Sequence, residues 1–341
     1  MSKPLRILVV TNNYPMPQSP ASGTYVEQQI RGLEQIGLQV DVVFVDRARK
    51  GMRAYFGLGR KIRARAAELR SDIVHVMYGG VMADEVTRNI QDRPTVVSFC
   101  GSDLFGEQLS GTLRKLVAQY GVIASRRAAM RATGIVVKSK ALFDALPRGL
   151  DRARVRIIPN GVDLDRFRPL KREQCRDRLK WGDDSFHVLF PATSGDPCKR
   201  PELAQAAVDA LSHRGIRVTM HHLRGIPHDE VPLWLNGSDV LLLTSLHEGS
   251  PNVVKEALAC DLPVVSVDVG DVRERLQGIE GCYVANPVPN DLAACLSLVY
   301  RGKRRIAGRA VMQELSLERT AIKLRTLYEE LCCSRPRVIA A

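Results

Sequence analysis

The run DVLLLTSLHEGSPNVVKEALACDLPVVSV, residues 239–267, decides the fold. Asp239–Thr244 is apolar and of strand length. Ser250 has N-cap chemistry and Pro251 a preset φ, so a helix is expected over 251–260. Pro263–Val267 is again apolar and β-branched, a second strand. Near-continuous apolar strands joined by helices are strands of a parallel sheet covered on both faces.

The same alternation runs outward in both directions. Toward the N-terminus, strands are expected at Ile7–Thr11, Val40–Val45, Ile73–Tyr78, Thr95–Phe99, Ile135–Val137 and Arg154–Pro159. Helical patterns such as Thr24–Ile36, Val81–Ile90 and Thr112–Arg131 lie between them. After a turn at Asn160-Gly161-Val162-Asp163 and a polar stretch at 164–186, strands resume at His187–Ala192, Arg217–Leu223, Asp239–Thr244, Pro263–Val267 and Cys282–Ala285. This predicts two doubly wound, Rossmann-like domains facing a central cleft. The expected bounds are a first domain at 1–160, a linker at 161–186, a second domain at 187–310, and a C-terminal helix at 311–332 able to pack back on the first domain.

The 341 residues are 45% hydrophobic and 26% charged, which excludes collagen-like, low-complexity and largely disordered chains. No apolar run approaches the ~20 residues of a membrane-spanning helix. The run Leu5 to Val10 is too short for a signal-peptide core, so a cytoplasmic protein is expected, possible peripheral membrane contact aside. The eight cysteines are scattered without Cys-x-x-Cys pairs, and no histidine has metal-ligand spacing, so neither a disulfide framework nor a metal site is expected. The net charge of +13 is uneven: residues 1–150 hold 22 basic and 12 acidic residues. Nine of the basic ones fall in 47–70, against Glu68 alone. That stretch is either a solvated helix face or a surface for an anionic acceptor or membrane. Nucleic acid fits least, because aromatics are 5% and no stacking platform appears.

In such sheets, ligands lie beyond the carboxyl ends of the strands. There the helix opening at Ser250-Pro251-Asn252-Val253 offers unpaired N–H groups and a positive dipole end to an anion. Glu248 precedes that helix, and Glu256 lies about one and a half turns into it. The alternative for this segment is a capped surface helix with two solvated glutamates. Lys199 and Arg200, after the strand His187–Ala192, suit a phosphate or are an exposed basic pair. In the first half, Gly23 and Thr24 open a helix, and Asp103 after Phe99-Cys100-Gly101-Ser102 either binds a hydroxyl or caps a helix at 104–109.

Taken together, these segments resemble the retaining glycosyltransferases of family 4, which have the GT-B fold. The most specific parts are Ile158-Pro159-Asn160-Gly161-Val162-Asp163 and the Glu-x7-Glu pair Glu248 and Glu256. The resemblance implies transfer of a sugar from a UDP- or GDP-linked donor to an acceptor hydroxyl without a metal or other cofactor. It implies that Glu248 contacts the transferred sugar and Glu256 the ribose hydroxyls. It assigns the leaving diphosphate to Lys199, assisted by Arg200. Phosphate and sugar oxygens go to backbone N–H groups of Ser250, Pro251, Asn252 and Val253 as far as each has one. The acceptor falls near Gly23, Thr24, Cys100 and Asp103. The resemblance further implies front-face attack guided by the leaving phosphate, not a covalent glycosyl-enzyme. The sequence departs from the family pattern at Ser194, where arginine is common, and at Cys100, where histidine is. It departs also at Asp261, where glycine is usual; Asp tolerates the left-handed conformation better than most residues. Rival readings are another GT-B enzyme, such as a nucleotide-sugar epimerase, and a nucleotide-sugar-binding scaffold without turnover.

Overall fold

The structure, a computed structural model, describes residues 4–16, 22–106, 111–191, 197–302 and 304–334. The chain forms two compact units. The first holds the described residues up to Gly161 together with those from Leu317 onward; the second is Val162–Ser316.

Unit 1 contains a six-stranded sheet of β1 (Arg6–Thr11), β2 (Gln39–Phe44), β3 (Ile73–Met77), β4 (Thr95–Phe99), β5 (Gly134–Val137) and β6 (Val155–Ile157). Its order is β2-β1-β3-β4-β5-β6, and every pairing is parallel. Successive β1 residues serve opposite faces. Leu8 and Val10 join one core with Val74, Val76, Val97 and Phe99. Ile7 and Val9 join another with Val26, Ile30 and Leu33 of the helix Thr24–Gln35. That second core is closed by Leu324, Leu327 and Tyr328 of the helix Leu317–Cys333. Tyr328 Oη lies 2.6 Å from His75 Nδ1, and His75 Nε2 lies 2.8 Å from Ser98 Oγ. His75 is therefore a bonded core residue of β3, held near a pKa of about 3 by burial and by Lys138.

Unit 2 contains a five-stranded parallel sheet of β7 (Phe186–Phe190), β8 (Val218–His222), β9 (Val240–Leu243), β10 (Val264–Val267) and β11 (Tyr283–Ala285), ordered β11-β10-β9-β7-β8. The chain reverses its lateral direction between β7 and β9, which makes their carboxyl ends the switch point where a ligand crevice belongs. Residues 161–186 are not a linker: they include the helix Arg172–Leu179 and, from Val162, cluster with unit 2. Arg176 of that helix is buried, donating to the Gly237 carbonyl at 2.9 Å and to Asp239 at 2.8 Å. A polar, Arg- and Asp-rich composition hides this packing, because the buried group is a paired guanidinium and not an apolar stripe.

The expected tail helix is two helices, Gly308–Met312 and Leu317–Cys333. Among the described residues, no helix is long and apolar enough to cross a membrane. Among them also, no group of three His, Cys, Asp or Glu side chains could hold a metal ion.

Candidate active site

The switch point of unit 2 is built by three loops that lace together. After β7, the short helix Pro197–Lys199 ends at Arg200, which has φ 50°. Leu246 N donates to the Cys198 carbonyl at 2.7 Å, and Thr244 Oγ1 donates to the Lys199 carbonyl at 2.7 Å. Arg200 returns the bond: its Nε reaches the Thr244 carbonyl at 2.6 Å and its Nη2 the Ser245 carbonyl at 3.1 Å. Its guanidinium thus ties the loop after β7 to the end of β9, and burial lowers its pKa. The resemblance places Arg200 beside a diphosphate; in the structure its Nε and Nη2 go to carbonyls.

Lys199 and Glu248 form a direct ion pair, each about one-fifth exposed. Behind Glu248 stands Gly270, at φ 60°. A Cβ there would lie 3.0 Å from the Gly249 carbonyl oxygen and 3.3 Å from Glu248 Cβ, so only glycine lets these loops approach.

The helix after β9 is Asn252–Ala259, with Pro251 at the N-cap. The sequence reading places Ser250 at that cap and Pro251 inside the helix; both move one position outward. The reason is that Ser250 Oγ is engaged elsewhere, donating to Asp271 Oδ2 at 2.9 Å and accepting from Lys255 Nζ at 3.2 Å. The helix consequently has no side-chain cap at Pro251, and its N-terminus carries the positive dipole end that favours an anion. Asn252 and Val253 supply its first turn, while Pro251 has no N–H to give. Burial raises the pKa of Asp271, against Lys255 and Arg275.

Glu256 lies four residues into this helix and is mostly buried, with Oε1 3.2 Å from His228 Nε2. His228 escapes the sequence reading. Its position beyond a strand end is the signal that could have found it. An open pocket of 610 Å³ adjoins Arg200 over the ends of β9, β10 and β11, with Ser245, Asp268, Arg273 and Asn286 on its wall. Ser194 lies outside the described residues.

The residues expected on the acceptor side all fall in unit 1. Gly23 takes φ 70° and precedes Thr24, the first residue of its helix. A Cβ on Gly23 would lie 2.4 Å from Asn13 and Tyr14 backbone atoms, so on that side the glycine is closely approached by the chain itself. Asp103 is buried, and its carboxylate accepts from Gly79 N at 2.9 Å, Gly101 N at 2.8 Å and Cys100 N at 3.0 Å. It knits the loops after β3 and β4 and sits in the helix Ser102–Phe105; residues 107–109 of the helix expected at 104–109 lie outside the described residues. Burial raises its pKa and these bonds oppose the rise. Asp103, Ser102, Gly79 and Tyr78 line a small cavity of 70 Å³ with Tyr55 and Tyr120. Tyr78 holds φ 99°, a conformation bulky residues rarely adopt.

Comparison with known proteins agrees with this architecture. A family model described as Glycosyltransferase Family 4 matches residues 8–166, and one described as Glycosyl transferases group 1 matches residues 185–301. Between them they take in most of the chain, which belongs to the family 4 glycosyltransferases. A D-inositol 3-phosphate glycosyltransferase of Geodermatophilus obscurus is 29% identical over 236 residues, 56% of this chain and 51% of that protein. The chain thus spans about half the length of such curated relatives. The sucrose-phosphate synthase of Thermosynechococcus elongatus superposes with a TM-score of 0.79 at 17% identity, covering 97% of this chain and all of that one. HepE of Anabaena in complex with UDP and glucose gives 0.71 at 16%, covering 96% and 100%. At such identities the two structures establish the GT-B class of fold and nothing further.

Proposed function

We propose that this protein transfers a glycosyl group from a nucleoside-diphosphate sugar to an acceptor hydroxyl, with retention of configuration and without a metal ion. The observation that carries the reading is the Lys199–Glu248 pair at the switch point, beside an uncapped helix start that also carries Glu256. A diphosphate leaves only if its developing charge meets preorganised donors, and the helix N-terminus with Lys199 supplies them. Lys199 exchanges Glu248 for the diphosphate when donor binds. Glu248 then accepts from a hydroxyl of the transferred sugar, and Glu256 from the ribose. The acceptor oxygen attacks the anomeric carbon as the carbon–oxygen bond to phosphate breaks. The electron pair goes to the phosphate oxygen, and the acceptor proton follows to the same oxygen on the same face.

HepE has been solved with UDP and glucose, which supports a UDP-linked donor here. The acceptor side falls to unit 1, whose stretch 47–70 is exposed at Arg49, Lys50, Arg53, Arg60, Lys61 and Arg63. Met52 and Phe56 are exposed among them, Phe56 at 76%. Basic and apolar groups together suit an anionic acceptor or membrane surface.

A thermal-shift panel of UDP, GDP, ADP and dTDP tests the donor site. At 100 times its dissociation constant, the right nucleotide stabilises the parent by about 2.7 kcal/mol and Glu256→Ala by far less. Stabilisation by none of the four overturns the reading. With the chosen donor, the product keeps the anomeric configuration by NMR and turnover persists in EDTA. Charge reversal at Arg60, Lys61, Arg63 and Arg65 weakens binding to anionic vesicles; unchanged binding and activity remove the surface reading.

A further inference from the structure

One histidine ring joins the turn at the start of unit 2 to the helix that carries Glu256. His228 Nδ1 lies 3.0 Å from Arg166 Nη1, and its Nε2 lies 3.2 Å from Glu256 Oε1. A guanidinium only donates, so Nδ1 accepts and carries no hydrogen. The ring hydrogen is therefore on Nε2, and it points at the Glu256 carboxylate. The edge of Phe167 packs on the imidazole, with centroids 5.4 Å apart at 62°.

Arg166 is held in turn. Asp163 Oδ1 accepts from the backbone N–H groups of Asp165 at 3.2 Å and Arg166 at 3.1 Å. Arg309 clamps the same loop, donating to the Leu164 carbonyl at 2.8 Å and the Phe167 carbonyl at 2.7 Å. A continuous series of bonds thus runs from Asp163 through Arg166 and His228 to Glu256. It starts at Asp163, the last residue of the Asn160-Gly161-Val162-Asp163 segment; the turn expected there falls instead at Leu164–Arg166.

We infer that His228 is a positioning residue for Glu256, and that Asp163 acts on nucleotide recognition through Arg166 and His228. The inference rests on the reading above, in which Glu256 receives the ribose of the donor. A ribose presents two adjacent hydroxyls, and a carboxylate that accepts from them must hold one rotation about its last bond. Fixing Oε1 with an N–H donor sets that rotation before the ligand arrives, and the Arg166 contact selects the tautomer that can donate.

The test compares His228→Ala, His228→Gln, Arg166→Ala and Glu256→Ala in the full chain. Readouts are calorimetric binding of UDP, GDP, ADP and dTDP, and kcat and KM for the donor. His228→Ala is expected to weaken binding of the recognised nucleotide and raise the donor KM by roughly 10–100-fold, the size of one hydrogen bond to a charged group. Its kcat stays within about threefold, since no contact to the reacting carbon is lost. Glutamine has an amide N–H for Glu256 and a carbonyl for Arg166, so His228→Gln recovers most of the loss. Arg166→Ala gives a smaller increase, because the ring remains but its tautomer is no longer selected.

Failure of glutamine to do better than alanine overturns the inference, and the ring then serves only to pack on Phe167. Unchanged binding in His228→Ala with lost binding in Glu256→Ala overturns it while the donor-site reading stands. Unchanged binding in Glu256→Ala overturns both. If His228→Ala does not fold, the Gln and Arg166 variants carry the comparison, and normal binding by Arg166→Ala is the adverse result.

Discussion

At the scale of single residues, packing decides what a group does. His75 is the clearest case. Its folded pKa is lowered to about 3, so the folded protein keeps the ring neutral. The unfolded chain takes up a proton below its ordinary pKa of about 6.5. Stability is therefore full above pH 6.5 and falls as pH drops from there toward 3, by up to about 1.4 kcal/mol per pH unit. Denaturant unfolding between pH 7 and 5.5, before most carboxylates titrate, should show a slope of this sign, to which His221, lowered to about 4 by burial, also contributes; His75→Gln should reduce it while lowering stability throughout. Gly23 is the second case. Gly23→Ala puts a Cβ into the Asn13 backbone at φ 70°, and a loss of more than about 2 kcal/mol is expected in the same measurement. A glycine before a helix reads in sequence as room for a ligand. Which atoms fill that room depends on residues ten positions earlier in the chain.

At the scale of elements, the turn after the helix Asn252–Ala259 shows how a departure from family pattern is absorbed. Asp261 adopts φ 56°, as its position requires, and its Oδ1 accepts from Arg309 N at 2.8 Å. Asp261→Gly should relieve the left-handed strain but lose this bond, leaving stability within about 1 kcal/mol of the parent. Asp261→Ala keeps the strain and loses the bond, so a cost of about 2 kcal/mol is expected; equal stability of the two variants would contradict this account. The strands were legible from the sequence to within two residues at each end, because buried parallel strands are apolar on both faces. The start of the Glu256 helix was not. Ser250 has cap chemistry locally, but Asp271 and Lys255, distant in sequence or a turn away, take its hydroxyl.

At the scale of the whole molecule, the chain returns to unit 1 after completing unit 2. Leu324 is fully buried in a core with Ile7, Val9 and Ile73. Leu324→Ala should cost about 2–5 kcal/mol. Hydrogen exchange should locate the loss in β1 and β3 while β9 keeps its protection; equal loosening of β9 would contradict two separate cores. The amino-acid sequence by itself determined the two α/β sheets and the Glu248 and Glu256 spacing, since period and order along the chain carry that information. Only the tertiary structure decided what each polar group touches. Arg200 turns to carbonyls, Asp103 to amides, Lys199 to Glu248, and His228 to Glu256. Each outcome depends on partners brought together by packing, which residue type and spacing do not encode.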